Sequence, residues 1–178
     1  MYPFVRMAKE LARSRKMPAL GMMETHLSRH TCWPWDLDLW LELNNGRTLT
    51  LFDLGRIPLV KRVGLSKTLT GNGLRMAVAG VSVRYRKRIR LFRTVQMRSR
   101  ILGWDDRFVY VDQTMWNSAG ECTTQGLMRM AITDRNGIVP PTEVSKAIGH
   151  SELAPDLPDW VQAWIAADQT RPWPPEKI

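Results

Sequence analysis

Three carboxylates and two asparagines, Asp36, Asp38, Glu42, Asn44 and Asn45, crowd the residues just ahead of an apolar, helix-like run. Their types suit hydrolysis at a carbonyl carbon. A carboxylate can activate water or attack directly, and the unpaired amides of a helix's first turn are donors with positive partial charge that can hold an oxyanion. The same residues also serve simply to stabilise a helix start, and the local sequence alone leaves both readings open.

The element that must position this group is the helix expected from about Asn45 to Val63. Asn44 suits its N-cap, because the side-chain oxygen can accept from first-turn amides. Leu51, Phe52, Leu54, Leu59 and Val63, with further apolar positions between them, cover most of the circumference, as in a wrapped central helix. Asp53 and Arg56 stand at ion-pair spacing, Lys61 and Arg62 suit the C-terminal dipole, and Gly64 is a C′ stop. Pro58 predicts a kink or break midway.

Alternation predicts a strand from Thr25 to Trp35 leading into the acidic turn, which Trp33, Trp35 and Trp40 are expected to wall. Four more strands are expected over Met76–Tyr85, Thr94–Leu102, Arg107–Trp116 and Cys122–Thr133, in an antiparallel meander. Leu65–Arg75 reads as a loop around Gly71-Asn72-Gly73, and Arg86–Arg93 as a basic hairpin. Short helices are expected at Thr142–Ile148, capped by Thr142, and at Leu157–Asp168. Met1–Lys16 forms a basic amphipathic helix that packs on the domain or frays, with contact to anionic lipid as the other option. The Pro172–Pro175 tail cannot be helical.

The order Asp36-x-Asp38, a short spacer, Asn44-Asn45-Gly46, then a buried helix carrying Asp53-x-x-Arg56 resembles the hotdog-fold acyl-CoA thioesterases, in the 4-hydroxybenzoyl-CoA thioesterase-like branch. Arg84-Tyr85-Arg86 followed by Leu102-Gly103-Trp104-Asp105-Asp106-Arg107 is similar to the same branch, near its eukaryotic thioesterase-superfamily-member proteins. The resemblance spans roughly residues 26 to 150. It implies an α+β hotdog fold, an antiparallel sheet of about five strands wrapped around a long central helix. It also implies that Asp38 is the catalytic carboxylate and the Asn45 amide the oxyanion donor, with Asp36 and Asn44 organising the site. Many relatives carry Gly-His where this chain has Leu41-Glu42. Losing the His removes a possible proton carrier, and Glu42 adds a negative charge beside Asp38, which can raise a carboxylate pKa or repel an anionic substrate.

With 178 residues and 44% hydrophobic content, the chain suits one globular domain. The expected organisation is a basic N-terminal segment and linker over 1–24, the hotdog domain over 25–150, and a C-terminal helix with a Pro-rich tail over 151–178. A net charge of +9 calls for an anionic partner. Arg86, Arg88 and Arg90 suit the phosphates of coenzyme A, although a solvated basic segment guarding strand edges fits as well. Nothing matches a nucleic-acid fold signature, so nucleic acid is not the expected partner.

Cys32 and Cys122 lie far apart and lack metal-site spacing, and His26 and His30 have no third ligand at a suitable spacing. No metal or cofactor is therefore expected. Neither a serine elbow nor a phosphate-binding glycine loop is present. No stretch has the ~18 apolar residues of a membrane span, and no cleavable leader is seen, so a cytoplasmic protein is expected. The resulting expectation is an acyl-CoA thioesterase, homodimeric or tetrameric with sites between subunits. A non-catalytic acyl-CoA or lipid-binding hotdog protein is the alternative, with a basic nucleic-acid-binding module ranked below it.

Overall fold

A computed structural model describes residues 2–149 and 154–176. The elements in order are α1 (Phe4–Ser14), β1 (His26–Thr31), a 3₁₀ turn (Pro34–Asp36), α2 (Asn45–Arg62), α3 (Leu65–Gly71), β2 (Arg75–Tyr85), β3 (Thr94–Trp104), β4 (Phe108–Trp116), β5 (Cys122–Thr133), α4 (Pro141–Ala147) and α5 (Asp159–Gln169). The boundary expected between 150 and 151 lies outside the described residues.

The strands form a single antiparallel sheet in the order β1-β3-β4-β5-β2. Its inner face wraps α2, which buries Leu51, Phe52, Leu54 and Leu59 completely or nearly so. Gly55 permits the close approach, since a Cβ there would stand 2.5 Å from Met97 Sδ and Ser99 Oγ of β3. Gln113 of β4 then ties helix to sheet: its amide donates to the Phe52 carbonyl at 2.8 Å and to Ser99 Oγ at 2.8 Å, while its oxygen accepts from Arg56 at 2.9 Å. Arg56 also pairs with Asp53, the expected i,i+3 contact. Pro58 neither breaks nor ends the helix. It sits in the middle of the buried span, where packing on both sides carries the chain past one missing backbone bond.

Three other sequence expectations are corrected. Leu65–Gly71 is a helix, restarting after Gly64 (φ +84°) and burying Leu65 and Leu69 at i,i+4 spacing. The segment 86–93 is not a hairpin: β2 pairs with β5 at one edge, so this segment crosses the strand ends to reach β3 near the other edge. The N-cap of α4 is Pro140 rather than Thr142.

Helices α1 and α5 close the two sides. α1 packs on α2, with Met7, Glu10 and Ser14 buried. α5 covers the outer sheet face, where Leu102, Tyr110 and Leu127 meet Val161. Arg129 of β5 lies between the Phe108 and Trp164 rings, 5.0 and 5.2 Å from their centroids, and pairs with Asp168 at 2.8 Å. No helix is long and apolar enough to cross a membrane among the described residues.

Candidate active site

The site is built where β1 hands over to α2. After Thr31, Cys32 continues the ladder with the crossover, donating to the Arg93 carbonyl at 2.9 Å and accepting from the Phe92 amide at 2.8 Å. The chain then turns through Pro34–Asp36. Asp36 is fully buried. Its carboxylate accepts from Arg6 at 2.7 Å, from Arg47 at 2.7 Å and from the Trp33 amide at 3.1 Å. Burial opposes its charge, but the Arg47, Trp33 and Arg6 hydrogen bonds outweigh that and hold its pKa below the ordinary carboxylate value. Its backbone carbonyl accepts from the Asn44 amide at 2.9 Å, which fixes the cap of α2.

Between these anchors, 37–43 is a miniature antiparallel turn. Leu37 bridges Leu43, and the Asp38 amide donates to the Glu42 carbonyl at 2.9 Å. The Asp38 carboxylate accepts from the Trp40 amide at 2.9 Å and the Glu42 amide at 3.4 Å, with no cation paired to it among the described residues. Leu41 has φ +59°, a left-handed conformation costly for a leucine.

Asn44 caps α2 as expected, its Oδ1 accepting from Gly46 at 2.9 Å and Arg47 at 3.1 Å. The Thr48 amide takes the Asn44 carbonyl. Of the four first-turn amides, that of Asn45 alone has no acceptor among the described residues.

The crossover closes the opposite wall. Leu43 donates to the Ile89 carbonyl at 2.8 Å, Glu42 bridges Arg90 through the backbone, and the Glu42 carboxylate meets Arg88 Nε at 3.3 Å. The result is an open cleft of about 330 Å³ bounded by Asp38, Trp40, Glu42, Asn45, Tyr85 and residues 86–89.

Of the residues singled out from sequence, Asp38, Glu42, Asn45, Arg86 and Arg88 therefore share one cleft. Arg90 lies one step beyond it, and Asp36 and Asn44 lie beneath. Trp40 walls the cleft, whereas Trp33 and Trp35 do not line it. Arg6, Arg47 and Tyr85 join the site without a sequence signal that marks them. Nothing local ties Arg6 to an acid 30 positions away, and the Tyr85 hydroxyl, donating to the Asn45 carbonyl at 3.4 Å, depends on where β2 ends.

His26 and His30 lie elsewhere, on the buried face of β1. Burial first, then the neighbouring Arg62 charge, pushes His26 down to about 4. Burial first, then the positive charge of Arg6 ahead of smaller contributions from other cations, pushes His30 down to about 3. No group of metal-ligating side chains occurs among the described residues.

With this geometry in view, comparison with known proteins identifies the class. Residues 32–165 match the thioesterase-like superfamily, and the chain belongs to it. Its solved relatives in fold include the YbaW probable thioesterase from Escherichia coli, with a TM-score of 0.64, 14% identity and coverage of 68% of this chain and 94% of that one. The DHNA-CoA thioesterase from Staphylococcus aureus gives a TM-score of 0.60 at 15% identity, covering 82% and 91%. The fold is thus the hotdog fold that the sequence resemblance implied. Among curated proteins, the chain is similar to Protein THEM6 of Xenopus laevis, 29% identical over 163 residues, which are 91% of this chain and 78% of that protein.

Proposed function

We propose that the protein hydrolyses an acyl-CoA thioester in the cleft at Asp38. The observation that carries this reading is the pairing, in one cleft, of a carboxylate without a cationic partner and a first-turn amide without an acceptor among the described residues. Thioester hydrolysis needs both. Asp38 either removes a proton from water attacking the thioester carbonyl or attacks that carbon itself. The carbonyl oxygen takes up negative charge against the Asn45 amide at the positive end of α2. Collapse breaks the C–S bond and expels the CoA thiolate. On the water route Asp38 passes its proton to that sulfur and the carboxylic acid forms directly. On the direct route an acyl anhydride of Asp38 remains, which a water hydrolyses to the acid, its proton balancing the thiolate.

Asp36, held by Arg6 and Arg47, fixes the turn that presents Asp38. Glu42 has its charge countered by Arg88, so it faces the substrate as an ion pair rather than a lone carboxylate. Arg86 and Arg90 are exposed and carry no carboxylate partner among the described residues, which suits contact with the CoA phosphates. The free β2 edge, with Val78 and Val81 exposed, supports pairing of two copies there.

The test is release of free CoA thiol from short, long and aromatic acyl-CoAs. Turnover of at least one class is expected. Binding of acyl-CoA with no turnover across the panel would replace this reading with a binding role.

A further inference from the structure

Large apolar side chains stand exposed in one neighbourhood, around the mouth of the cleft. Leu39, Trp40 and Leu41 form the tip of the 37–43 turn and are 92, 77 and 68% exposed. Trp33 and Trp35 stack with centroids 5.7 Å apart, and Phe92 of the crossover meets Trp33 edge-on at 5.9 Å. Beyond Trp35 a hollow of about 610 Å³ is lined by the N-terminal residues Tyr2 to Arg6 and by Arg47. Phe4 and Val5 stand open beside it. Contiguous apolar surface of this kind marks a docking face rather than the scattered exposure normal for a monomer.

Two observations indicate what docks there. The first is charge. Arg86, Arg90 and Arg93 rim the patch, exposed and without carboxylate partners among the described residues, and Lys9, Arg15 and Lys16 are exposed on or just after α1 in a chain of net charge +9. Indole rings beside cations are the composition of a bilayer interface, with rings at headgroup level and cations on anionic lipid. The second is topology. Trp33 and Phe92 sit where the β1–β3 ladder runs on, at the edge of the sheet opposite β2. A second copy paired along β2 adds its strands at the edge away from Trp33 and Phe92.

We propose that this surface seats the protein peripherally on a bilayer carrying anionic lipid, with the Leu39–Leu41 tip among the headgroups. On the hydrolase reading above, the Asp38 cleft then takes acyl-CoA whose chain is long enough to partition into that bilayer.

The experiment is co-sedimentation of the full chain with phosphatidylcholine vesicles, with and without phosphatidylserine. Binding is expected only with phosphatidylserine and is expected to weaken as salt is raised. Trp35→Ser combined with Leu39→Ser lowers it at least about tenfold through lost apolar burial, and Arg93→Ala lowers it about fivefold. Neither Trp35 nor Leu39 lines the cleft, so the double variant keeps the wild-type rate on a water-soluble short-chain acyl-CoA while losing rate on vesicle-borne palmitoyl-CoA. Absence of wild-type binding to anionic vesicles, or unchanged binding by the double variant, overturns the proposal. So does a wild-type dimer that the double variant splits with no vesicle binding, which would assign the patch to a second copy. Vesicle binding by a protein that hydrolyses nothing leaves the docking standing and removes only the hydrolase reading.

Discussion

Asp36 and Asp38 stand two positions apart in one turn and have opposite surroundings. Asp36 is sealed from solvent, and two guanidiniums with a backbone amide occupy its oxygens. Asp38 is half-buried at a cleft, and among the described residues only amides of its own turn reach it. A carboxylate saturated by cations is an architectural group, because any proton transfer at it would break buried ion pairs. A carboxylate with free lone pairs beside an open volume is available for chemistry. The same residue type thus takes two roles, decided by which neighbours the fold supplies.

The two roles separate first at the backbone. Asn45→Pro deletes the amide proposed to hold the oxyanion, yet Pro suits the first helical position and Asn44 already has the extended conformation (φ −61°, ψ 139°) required before proline. Its turnover is expected to drop about 10²- to 10³-fold with the far-ultraviolet circular dichroism and thermal midpoint nearly unchanged. A midpoint collapse would mean that the amide serves the helix rather than the site.

Asp36→Asn comes next and acts on stability. It leaves Arg6 and Arg47 facing a neutral group, and urea unfolding is expected to show a loss of roughly 3 kcal/mol. The acid limb carries the same signature. Because the folded Asp36 pKa lies below its unfolded value of about 4, its contribution is present above that pH and is lost as pH falls through the folded value. Wild-type unfolding free energy should therefore decline more steeply there than that of Asp36→Asn. Parallel acid limbs would deny Asp36 its buried pairs.

Two smaller changes probe the frame between the acids. Asn44→Ala removes two cap bonds and should cost about 1 kcal/mol by the same unfolding assay. Leu41→Gly relieves the left-handed conformation and should stabilise by at most about 1 kcal/mol, raising the midpoint by a few degrees. A destabilised Leu41→Gly would show that the exposed leucine contributes contacts rather than strain.

How far the sequence reveals this site follows the range of the interactions. Local rules suffice for α2, where Asn44 caps, Gly64 stops, and apolar residues on every side announce burial. They also suffice for β5, whose limits Cys122 and Thr133 follow from alternation and the turn at Asn117–Gly120. They mislead where a local signal hides a longer one. Gly71-Asn72-Gly73 suggests a loop, yet Leu65 and Leu69 have a core to fill and form α3. Two strands joined by a short basic segment suggest a hairpin, yet β2 finds its partner in β5, beyond β3 and β4 in the chain. That crossover is what brings Arg86 and Arg88 over Asp38, so their placement depends on strand order rather than spacing. The Arg6–Asp36 pair is of the same kind, and the outward-facing Trp33 and Trp35 contradict the rule that aromatic rings near a site wall it.

The division of labour between the two acids rests on one direct measurement: the steady-state rate of CoA release by Asp38→Asn, corrected for folded fraction, beside the same quantity for Asp36→Asn. The account predicts a loss of about 10²- to 10⁴-fold in Asp38→Asn with an unchanged unfolding curve, and a near wild-type rate per folded molecule in Asp36→Asn. Equal rates in wild type and Asp38→Asn, or a comparable loss in both variants after correction, would contradict it.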